Sequence, residues 1–482
     1  MTIEAPSWLF GRSREWDALI AYTNPPVPTA GLAIMYGRRR QGKTALLEAL
    51  SQATGGFYWQ ALQQSSTQNL LTFSEAWSAW SGTPNISFPN WATAMRALFA
   101  TNDETIRTVA IDEFGYLVDT SPEIPSIIQS LLSPKGTRES RTRLILCGSS
   151  YSQIRQLLAG DAPLRGRASL ELAVGPFGYR DAAAYWGLAD NLDAAFRLHA
   201  LVGGTPGYLP LAGCAPKRGD VDSWLAKHVL NPSSPLYREG RVLVGEDTVL
   251  ADRALYWSVL AAVADGHHRR GEIAAAVGRA DAALTFPLKV LADGAWIEHR
   301  PDPFHVGRST IHLSEPMLRL HRIVIEPEER RLNRGLASDV VRDTRQRVAR
   351  LIYGPHLEWM AAEWALAFAK PDEIGGNPRS VGSGTLSAGG NRFQLDLVAL
   401  EPGPHGKDQV HAIGEVKAGT ERVGVTELDR LDAVAMLLGE RGAASVKRLL
   451  VGRAGFTAEL ERAISRRSDV QLVDLRRLYG HA

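Results

Sequence analysis

The stretch Gly37-Arg-Arg-Arg-Gln-Gly-Lys-Thr44 fits the pattern G-x-x-x-x-G-K-[ST]. An apolar run, 32–36, precedes it, and a run of good helix formers, 45–50, follows it. A strand, a glycine-containing loop and a helix in this order turn the pattern into the prediction of a phosphate-binding loop. The alternative, a glycine-rich turn with an incidental Lys-Thr pair, leaves the two flanking elements unexplained.

The residue types in this stretch suit the binding of phosphate. Gly37 and Gly42 permit backbone angles that side chains forbid, so the N–H groups of the loop and of the helix start can point at the phosphates. Lys43 adds a positive charge, and the Thr44 hydroxyl can ligate Mg²⁺. We therefore predict ATP and Mg²⁺ as cofactors, with the nucleotide bound by Gly37, Arg38, Arg39, Arg40, Gln41, Gly42, Lys43 and Thr44.

A second run, 106–114, is mostly apolar up to Ile111 and then continues with two acids. A buried parallel strand that delivers carboxylates at its carboxyl end is where an α/β sheet places its ligand chemistry. We expect Asp112 to hold Mg²⁺ and Glu113 to polarise the attacking water. The alternative is an exposed strand end with two solvated acids, which the phosphate-loop pattern disfavours.

Other polar side chains are candidates for the same site. The apolar run 143–147 leads to Ser149, which can touch the γ-phosphate or the attacking water. Further on, Arg165 or Arg167 is a candidate arginine finger, acting within the subunit or across to a neighbour in a homo-oligomer. For both arginines the alternative is a solvated loop position.

The composition sets bounds on the class of protein. The chain has 482 residues, 45% hydrophobic and 22% charged, which is the balance of a globular protein of about three domains. Its net charge of +2 argues neither for nor against nucleic acid, so any binding surface is local. The two cysteines have no metal-type spacing. With no signal peptide and no membrane-spanning apolar run in the sequence, we expect a cytoplasmic protein without a membrane partner.

Short motifs follow one another along the first half of the chain: Phe10-Gly-Arg12, Gly37–Thr44, Ile111-Asp-Glu-Phe114, Pro163-Leu-Arg-Gly-Arg167 and Gly203-Gly-Thr-Pro206. On these motifs, over roughly residues 8–245, the chain resembles an AAA+-related ATPase family that is abundant in archaea and also found in bacteria. The resemblance implies a nucleotide-binding α/β domain followed by a small helical lid. It also implies that Phe10–Arg12 lies near the adenine and that the turn 203–206 lies near the phosphates.

Residues 252–313 show a different sequence pattern. Three helical patterns come first and two strand patterns follow, at 256–264, 271–278, 281–291, 296–300 and 310–313. This order resembles a winged helix-turn-helix. The third helix offers Thr285 and Lys289 and little else that is polar, and Pro287 in its middle should kink it. We therefore expect no base-specific reading; phosphate contact and a purely structural role both stay open.

A second chemical centre lies in the strand patterns 392–400 and 410–417. Alternate side chains of a strand share a face, so Glu415 and Lys417 point the same way, and Asp396 comes from the strand before. Two carboxylates and a lysine at one sheet edge suit phosphodiester hydrolysis, in which the acids hold Mg²⁺ and the lysine orients or deprotonates water. Glu358, at the start of an upstream helix, can complete the metal shell.

The quartet Glu358, Asp396 and Glu415-x-Lys417 resembles the PD-(D/E)XK nuclease superfamily. The resemblance implies a mixed sheet flanked by helices, with a helix at 428–438 and a further strand at 447–451. One departure is that no proline precedes Asp396, as is common in the superfamily. An ordinary exposed strand pair is the alternative for Glu415 and Lys417.

The leading hypothesis is an ATPase whose nucleotide cycle controls a Mg²⁺-dependent nuclease-like domain acting on DNA, mostly through backbone contacts. The alternatives are a nucleotide-gated switch and a DNA-binding regulator, each with a non-cleaving C-terminal domain. Four arginines before the second centre track a DNA backbone or form a solvated helix face: Arg342, Arg345, Arg347 and Arg350. The residues assigned to catalysis are Lys43, Asp112, Glu113 and Arg167 for ATP, and Asp396, Glu415 and Lys417 for DNA.

The predicted fold class is α/β, with the domains in the following order. A P-loop NTPase core with a parallel sheet comes first, then a helical lid, a winged helix, a linker and an α/β restriction-endonuclease-like domain. Their expected bounds are 1–177, 178–248, 249–315, 316–335 and 336–482.

Overall fold

The structure, a computed structural model, describes residues 3–100, 106–133, 140–149, 151–245, 253–305, 307–403 and 408–481. The chain forms two compact units. The first contains Met1–Phe177 and Thr205–Tyr208, and the second contains Gly178–Gly204, Leu209–Val244 and Asp252–Ala482. Within the described residues, no helix combines the length and the apolar character that crossing a bilayer requires.

A five-stranded parallel sheet forms the centre of the first unit, and its strand order is β2-β3-β4-β1-β5. The strands are β1 (Gly31–Tyr36), β2 (Phe57–Gln60), β3 (Arg107–Asp112), β4 (Thr142–Gly148) and β5 (Ala168–Ala173). The predicted parallel α/β sheet is thereby confirmed.

Helices cover both faces of this sheet, because both faces of its central strands are apolar. In β1, Leu32 and Ile34 belong to one buried cluster, whereas Ala33 and Met35 belong to the cluster on the opposite face. This alternation with apolar residues on both sides is what a buried parallel strand requires. The covering helices are Ser13–Thr23, Lys43–Thr54, Ser66–Ser81, Trp91–Phe99, Phe114–Thr120, Ile124–Leu131 and Tyr151–Leu158.

The parallel arrangement gathers the strand ends that carry the predicted site. Tyr36 of β1 pairs with Gly148 of β4, and Gln60 of β2 pairs with Asp112 of β3. Because β4 lies between β1 and β3, the loop after β1 and the acids after β3 meet at the same edge of the sheet.

The second unit begins with helices where the lid was predicted, and it continues with the element order predicted for a winged helix-turn-helix. The lid-region helices are Tyr179–Tyr185, Leu192–Val202, Tyr208–Ala212, Val221–His228 and Glu239–Gly245. Then come Arg253–Ala264, Arg270–Ala276, a 3₁₀ turn Asp281–Leu284, Thr285–Asp293, and the antiparallel strands β6 (Ile297–Pro301) and β7 (Ser309–Leu313).

Pro287 lies in the first turn of the third α-helix of this region rather than in its middle, where the sequence analysis placed it. The α-helix begins only at Thr285, so Pro287 lies in its first turn. An N–H in the first turn has no partner within the helix, and proline therefore costs no hydrogen bond there.

The segment 316–335, expected to be a linker, is helical over most of its length. Three pieces follow each other without a break, Pro316–Leu320, a π-helical turn His321–Ile325 and Glu326–Leu332. Apolar side chains such as Met317, Val324 and Leu332 are buried. The charge run 326–334 indicated a linker or a solvated helix start, and in the structure it begins the helix Glu326–Leu332, whose Leu332 is buried.

A five-stranded mixed sheet follows, with the order β12-β11-β10-β9-β8. Its strands are β8 (Ser380–Ala388), β9 (Asn391–Pro402), β10 (Asp408–Lys417), β11 (Gly442–Gly452) and β12 (Val470–Asp474). β8, β9 and β10 pair antiparallel, whereas β10, β11 and β12 pair parallel. The other helices of this part of the chain are Ala337–Asp343, Arg345–Val348 with its π-helical extension Ala349–Tyr353, Gly354–Ala367, Pro371–Ile374, Val425–Leu437, Ala458–Ile464 and Leu475–Tyr479.

The β6–β7 hairpin packs against β8 at two glycines. A Cβ on Gly384 would stand 2.9 Å from the Phe304 ring and 3.0 Å from Pro303. A Cβ on Gly382 would stand 3.4 Å from the carbonyl oxygen of Pro301. Phe304 packs on the apolar core beneath the mixed sheet. The hairpin therefore makes contacts within the protein, and phosphate contact by this region stays open.

Gly384→Val should destabilise the second unit by about 1–3 kcal/mol, because the added side chain has to displace the Phe304 ring. We expect a lower midpoint in thermal unfolding followed by circular dichroism. Gly271→Ala is the matched control, since no described residue lies within 4 Å of its Cβ and it occupies a helix, where alanine is favoured. A wild-type midpoint for Gly384→Val would contradict the docking of the hairpin.

Candidate active sites

The loop after β1 has the backbone that its glycines predict. Gly42 precedes the helix Lys43–Thr54 with φ +83°, in the left-handed region that glycine adopts without strain. A Cβ on Gly37 would stand 2.1 Å from the carbonyl oxygen of Val174, so only glycine fits there. Arg40 has φ +68°, and strained angles of this kind in non-glycine residues concentrate at binding sites.

Two side chains at the helix start bind groups in and beside the loop. The buried Lys43 ammonium donates to the carbonyl oxygen of Arg38 at 2.9 Å. The Thr44 hydroxyl donates to Oδ2 of Asp112 at 2.7 Å. The structure thus brings together the loop and the acid that the sequence assigned to one Mg²⁺–nucleotide site.

Asp112 is fully buried, and three donors compensate its charge. Besides Thr44, the Tyr58 hydroxyl donates to Oδ2 at 3.3 Å and the Glu113 N–H donates to Oδ1 at 2.9 Å. Burial, followed by the charges of Asp112 and Glu48, raises the pKa of Tyr58, so its hydroxyl keeps its proton and remains a donor. The sequence analysis missed Tyr58, whose signal is its place near the end of β2, beside β3.

Glu113 directly follows β3, with φ +50°. Its Oε2 accepts a hydrogen bond of 2.8 Å from the Ser149 hydroxyl, which follows β4. Ser149 therefore lies at this sheet edge, as expected, and its immediate partner is the carboxylate predicted to polarise water.

Arg12, from the first of the sequence motifs, holds the loop in place. Its guanidinium donates at 2.8 Å to the carbonyl oxygens of both Gln41 and Gly175. It also lies over the ring of Phe177, 4.6 Å from the centroid, and Phe10 meets the same ring edge-on. The placement of Phe10–Arg12 near the adenine stays a prediction.

A residue next to the Gly203-Gly-Thr-Pro206 motif also contacts the loop. The Gly207 N–H donates to the carbonyl oxygen of Arg40 at 3.1 Å, and a Cβ on Gly207 would stand 2.5 Å from the Arg40 Cβ. The sequence analysis did not single out Gly207. Its signal was its position directly after a motif already placed near the phosphates.

The two candidate arginine fingers lie at the end of the parallel strands that is opposite to the phosphate loop. Arg167 donates to the carbonyl oxygen of Leu132 at 3.2 Å and immediately precedes Ala168, which pairs with Leu32 at the start of β1. Arg165 donates to Gly160. Because the phosphate loop follows the other end of β1, these contacts do not bring either arginine to the loop, and action within the subunit or on a neighbour's nucleotide stays a prediction.

The second candidate site lies where β9 and β10 separate. Their backbone pairing ends at Leu397 and Gly414, and Oδ2 of Asp396 instead accepts a hydrogen bond of 2.9 Å from the Val416 N–H. Asp396 and Glu415 are the next residues on the two strands. The register therefore places the two predicted carboxylates beside each other.

Glu415 is buried and asymmetrically bonded. Its Oε1 accepts from Lys417 at 2.7 Å and from Arg430 at 2.9 Å. Its Oε2 is buried without a hydrogen-bond partner among the described residues. The sequence analysis missed Arg430, which comes from the helix Val425–Leu437, fifteen positions further along the chain.

Lys417 carries a firmly held proton. Burial lowers the pKa of its ammonium group, but the hydrogen bond and charge of Glu415, with the charges of Asp396 and Glu427, outweigh burial and raise the pKa. Of the two predicted roles of this lysine, the surroundings therefore favour orienting and stabilising an anion over taking up a proton.

Glu358 is half-buried on the helix Gly354–Ala367. Burial and the charges of Asp396 and Glu415 raise its pKa to about 7, against the opposing effect of Arg300 and Arg319. The two arginines come from β6 and from the helix Pro316–Leu320, and the sequence analysis assigned neither to this site.

The predicted metal ligands are neighbours but do not form a closed cage. Within the described part of the chain, no group of three or more His, Cys, Asp or Glu side chains is arranged to hold a metal ion. The partnerless Oε2 of Glu415 and the adjacent Asp396 nevertheless fit a cation, because both present carboxylate oxygens, the ligands that Mg²⁺ prefers. The role of Glu358 as a third ligand stays a prediction.

The arginines before this site are mostly engaged with the protein. Arg342 pairs with Asp339 and Asp343, whereas Arg347 bonds the carbonyl oxygen of Ile323 and pairs with Glu328. Arg345 pairs with Asp222. These contacts account for three of the four arginines as parts of an ion-paired helix surface.

No family model matches the chain. A curated relative, an uncharacterized protein of Methanocaldococcus jannaschii, is 26% identical over 270 residues, which are 55% of this chain and 57% of the relative. Among solved structures, a Walker-type ATPase of Pyrococcus abyssi is 18% identical, with 67% of this chain and 98% of that chain covered and a TM-score of 0.49. The ORC2 protein of Aeropyrum pernix, solved with ADPNP and ADP, is 16% identical, with 71% and 97% covered and a TM-score of 0.40. Similarities of this size assign no activity to the chain.

Glu358→Gln should change how stability depends on pH. Between pH 4.5 and about 7 the folded protein keeps a proton on Glu358 that the unfolded chain releases, so stability falls as pH rises through this window. The full effect is up to about 3 kcal/mol.

In metal-free thermal unfolding, Glu358→Gln should therefore gain stability over the wild type as the pH rises from about 5 to about 8. Glu461→Gln, at an exposed position on the helix Ala458–Ile464, is the control. A constant difference between Glu358→Gln and wild type across this range would contradict the raised pKa.

Proposed function

We propose that the first unit binds and hydrolyses ATP. The observation that carries the proposal is the 2.7 Å hydrogen bond from the Thr44 hydroxyl to the buried carboxylate of Asp112. It joins the last residue of the phosphate loop to the acid at the end of β3, and these are the two groups that would hold Mg²⁺. The metal, when bound, neutralises phosphate charge and orients the nucleotide.

The remaining residues divide the work at the γ-phosphate. Lys43, whose ammonium rests on a loop carbonyl at 2.9 Å, exchanges that contact for the phosphate. Glu113 orients and polarises the attacking water, and Ser149 sets the direction of its carboxylate through their hydrogen bond. Arg167, at the far edge of the sheet, completes a neighbour's site in a homo-oligomer.

Glu113→Gln should still bind ATP but lose hydrolysis by a factor of about 10² or more, because the amide cannot polarise water. Binding is measured with a fluorescent ATP analogue and turnover by phosphate release. Lys43→Ala is the companion variant, in which binding itself should weaken. Unchanged turnover of Glu113→Gln would contradict the role given to this carboxylate.

We further propose that the C-terminal α/β domain is a Mg²⁺-dependent nuclease acting on DNA. The supporting observation is the buried Oε2 of Glu415, which has no partner within the described residues, beside Asp396 and opposite the cations Lys417 and Arg430. The carboxylates would hold the metal, and the charged Lys417 stabilises the negative charge that grows on the phosphate during attack by water.

DNA contact through the backbone suits the charges of this unit. A groove between the third helix of the winged region and the β6–β7 hairpin is lined by Arg269, Lys289 and Arg308. These side chains are exposed, so they are available to phosphates. Arg270 also lines the groove, together with the acids Asp293 and Asp302, so its lining is net positive but carries both signs of charge.

The lid helices would couple the nucleotide cycle to this domain, because they belong to the same compact unit as the mixed sheet. Nε of Arg453, directly after β11, donates to Asp193 at 2.8 Å. Nδ1 of His199 and Nε2 of His356 share a hydrogen bond of 2.9 Å, which links the helix Leu192–Val202 to the helix that carries Glu358. A lid that moves with the nucleotide state would carry the nuclease-like site with it.

Lys417→Ala should abolish cutting of plasmid and linear DNA in Mg²⁺ or Mn²⁺, with and without ATP, because the charge beside Glu415 is lost. Products are followed on agarose gels. Cutting that survives in Lys417→Ala would contradict this site, and cutting that ignores Lys43→Ala would contradict control by ATP.

A second candidate function is a nucleotide-gated switch whose C-terminal domain binds DNA without cutting it. It is favoured by the ion pairs of Glu415 with Lys417 and Arg430, which already neutralise the carboxylate. The absence of a three-ligand metal group among the described residues points the same way. DNA binding by the wild type, with no cutting in any of these metals, would select this alternative.

A further inference from the structure

The β6–β7 hairpin has two chemically different faces. Glu298 and Arg300 alternate with His299 along β6, so they share one face of the strand. His299 lines the basic groove toward the third helix. The charges of Glu298 and Arg300 act instead on Glu363, on the helix Gly354–Ala367 that also carries Glu358.

The contact between the hairpin and β8 fixes the position of Arg300 along the strands of the mixed sheet. Pro301, the next residue, contacts β8 at Gly382, which pairs with Val398 of β9. Further along β8, Gly384 pairs with Leu395 and receives Phe304. Asp396 lies between these two β9 positions, so the hairpin crosses the sheet at the level of the candidate nuclease site.

Only one edge of the Arg300 guanidinium is used by the protein. Nε donates to Oε1 of Glu298 at 2.6 Å, and Nη2 pairs with the same oxygen. Within the described ranges, no other side chain or carbonyl bonds this guanidinium. The side chain is 21% exposed, which leaves part of it open to solvent and to a ligand.

The cations around the acids stand on two sides. Lys417 and Arg430 bond Glu415 from β10 and from the helix that follows it. Arg300, on a hairpin from a different region of the chain, acts with its charge on Glu358 and lowers the pKa of that carboxyl. A bound phosphodiester would therefore meet positive charge beside Glu415 and in the surroundings of Glu358, and the planar fork of arginine matches phosphate oxygens.

We propose that Arg300 is a substrate-binding residue of the C-terminal site, where its free guanidinium edge holds a phosphate of the DNA strand. The assignment rests on the proposed nuclease function. In this assignment the hairpin forms one side of the site. The winged region would then hold substrate through its hairpin rather than through its third helix. Glu298 orients the guanidinium from the opposite edge.

The test measures the affinity for a fluorescently labelled DNA duplex by anisotropy, in Mg²⁺ and in a Lys417→Ala background, where cutting is not expected. Adding Arg300→Gln should weaken binding by about 10-fold or more, the effect of losing a hydrogen-bonded contact between charged groups. Arg300→Lys keeps the charge and loses the fork, so it should weaken binding less. Arg466→Gln, at an exposed position of the same unit outside the winged region, should leave binding unchanged.

A double variant separates substrate binding from simple neutralisation of Glu298. If Arg300 only compensates that carboxylate, Glu298→Gln/Arg300→Gln should bind like the Lys417→Ala parent, and this result would overturn the proposal. If Arg300 holds phosphate, the double variant should bind as weakly as Arg300→Gln alone. Thermal unfolding of each variant checks the fold, and Arg300→Lys supplies the measurement if Arg300→Gln does not fold.

Failure of this inference differs from failure of the proposed function. Equal affinity of the parent and Arg300→Gln would remove Arg300 from the site and leave the nuclease proposal standing. A parent protein that binds no DNA, together with a wild type that neither binds nor cuts it, would overturn both.

Discussion

The hydrogen bond between Thr44 and Asp112 is the contact on which the first unit depends. Asp112 is fully buried, so its charge is tolerable only while donors meet it. Those donors come from the phosphate-loop helix, from β2 and from the backbone after β3. Their convergence requires all strands to run parallel, because only then do the loop after β1 and the acid after β3 share an edge.

At the second site, cationic side chains compensate the charge of a buried carboxylate. Glu415 is buried against Lys417 and Arg430, and Glu358 stays protonated up to about pH 7 because burial and neighbouring acids disfavour its charge. Such pairing lets three carboxylates approach each other in a folded protein. In the proposed metal site, a cation would compete with the proton on Glu358 and with the two side chains that already bond Glu415.

The region that resembles a winged helix-turn-helix is held in place by packing against the mixed sheet. Its hairpin docks on β8 where glycines leave room for Pro303 and Phe304, and a packed helix continues from it through 316–332. Lid helices, hairpin and mixed sheet thus belong to one compact unit. The chain has two candidate sites, one per unit, and the second is assembled from several of the regions that the sequence suggested as separate domains.

The sequence by itself determined what depends on neighbours along the chain. The loop Gly37–Thr44 follows from glycine placement between a strand and a helix, and the shared face of Glu415 and Lys417 follows from the alternation of a strand. Only the tertiary structure decided which distant residues join them. Tyr58 and Gly207 reach the first site, Arg430 reaches the second, and Arg167 lies at the far edge of its sheet, because these positions depend on how separate elements pack and on strand order, which local pattern does not encode.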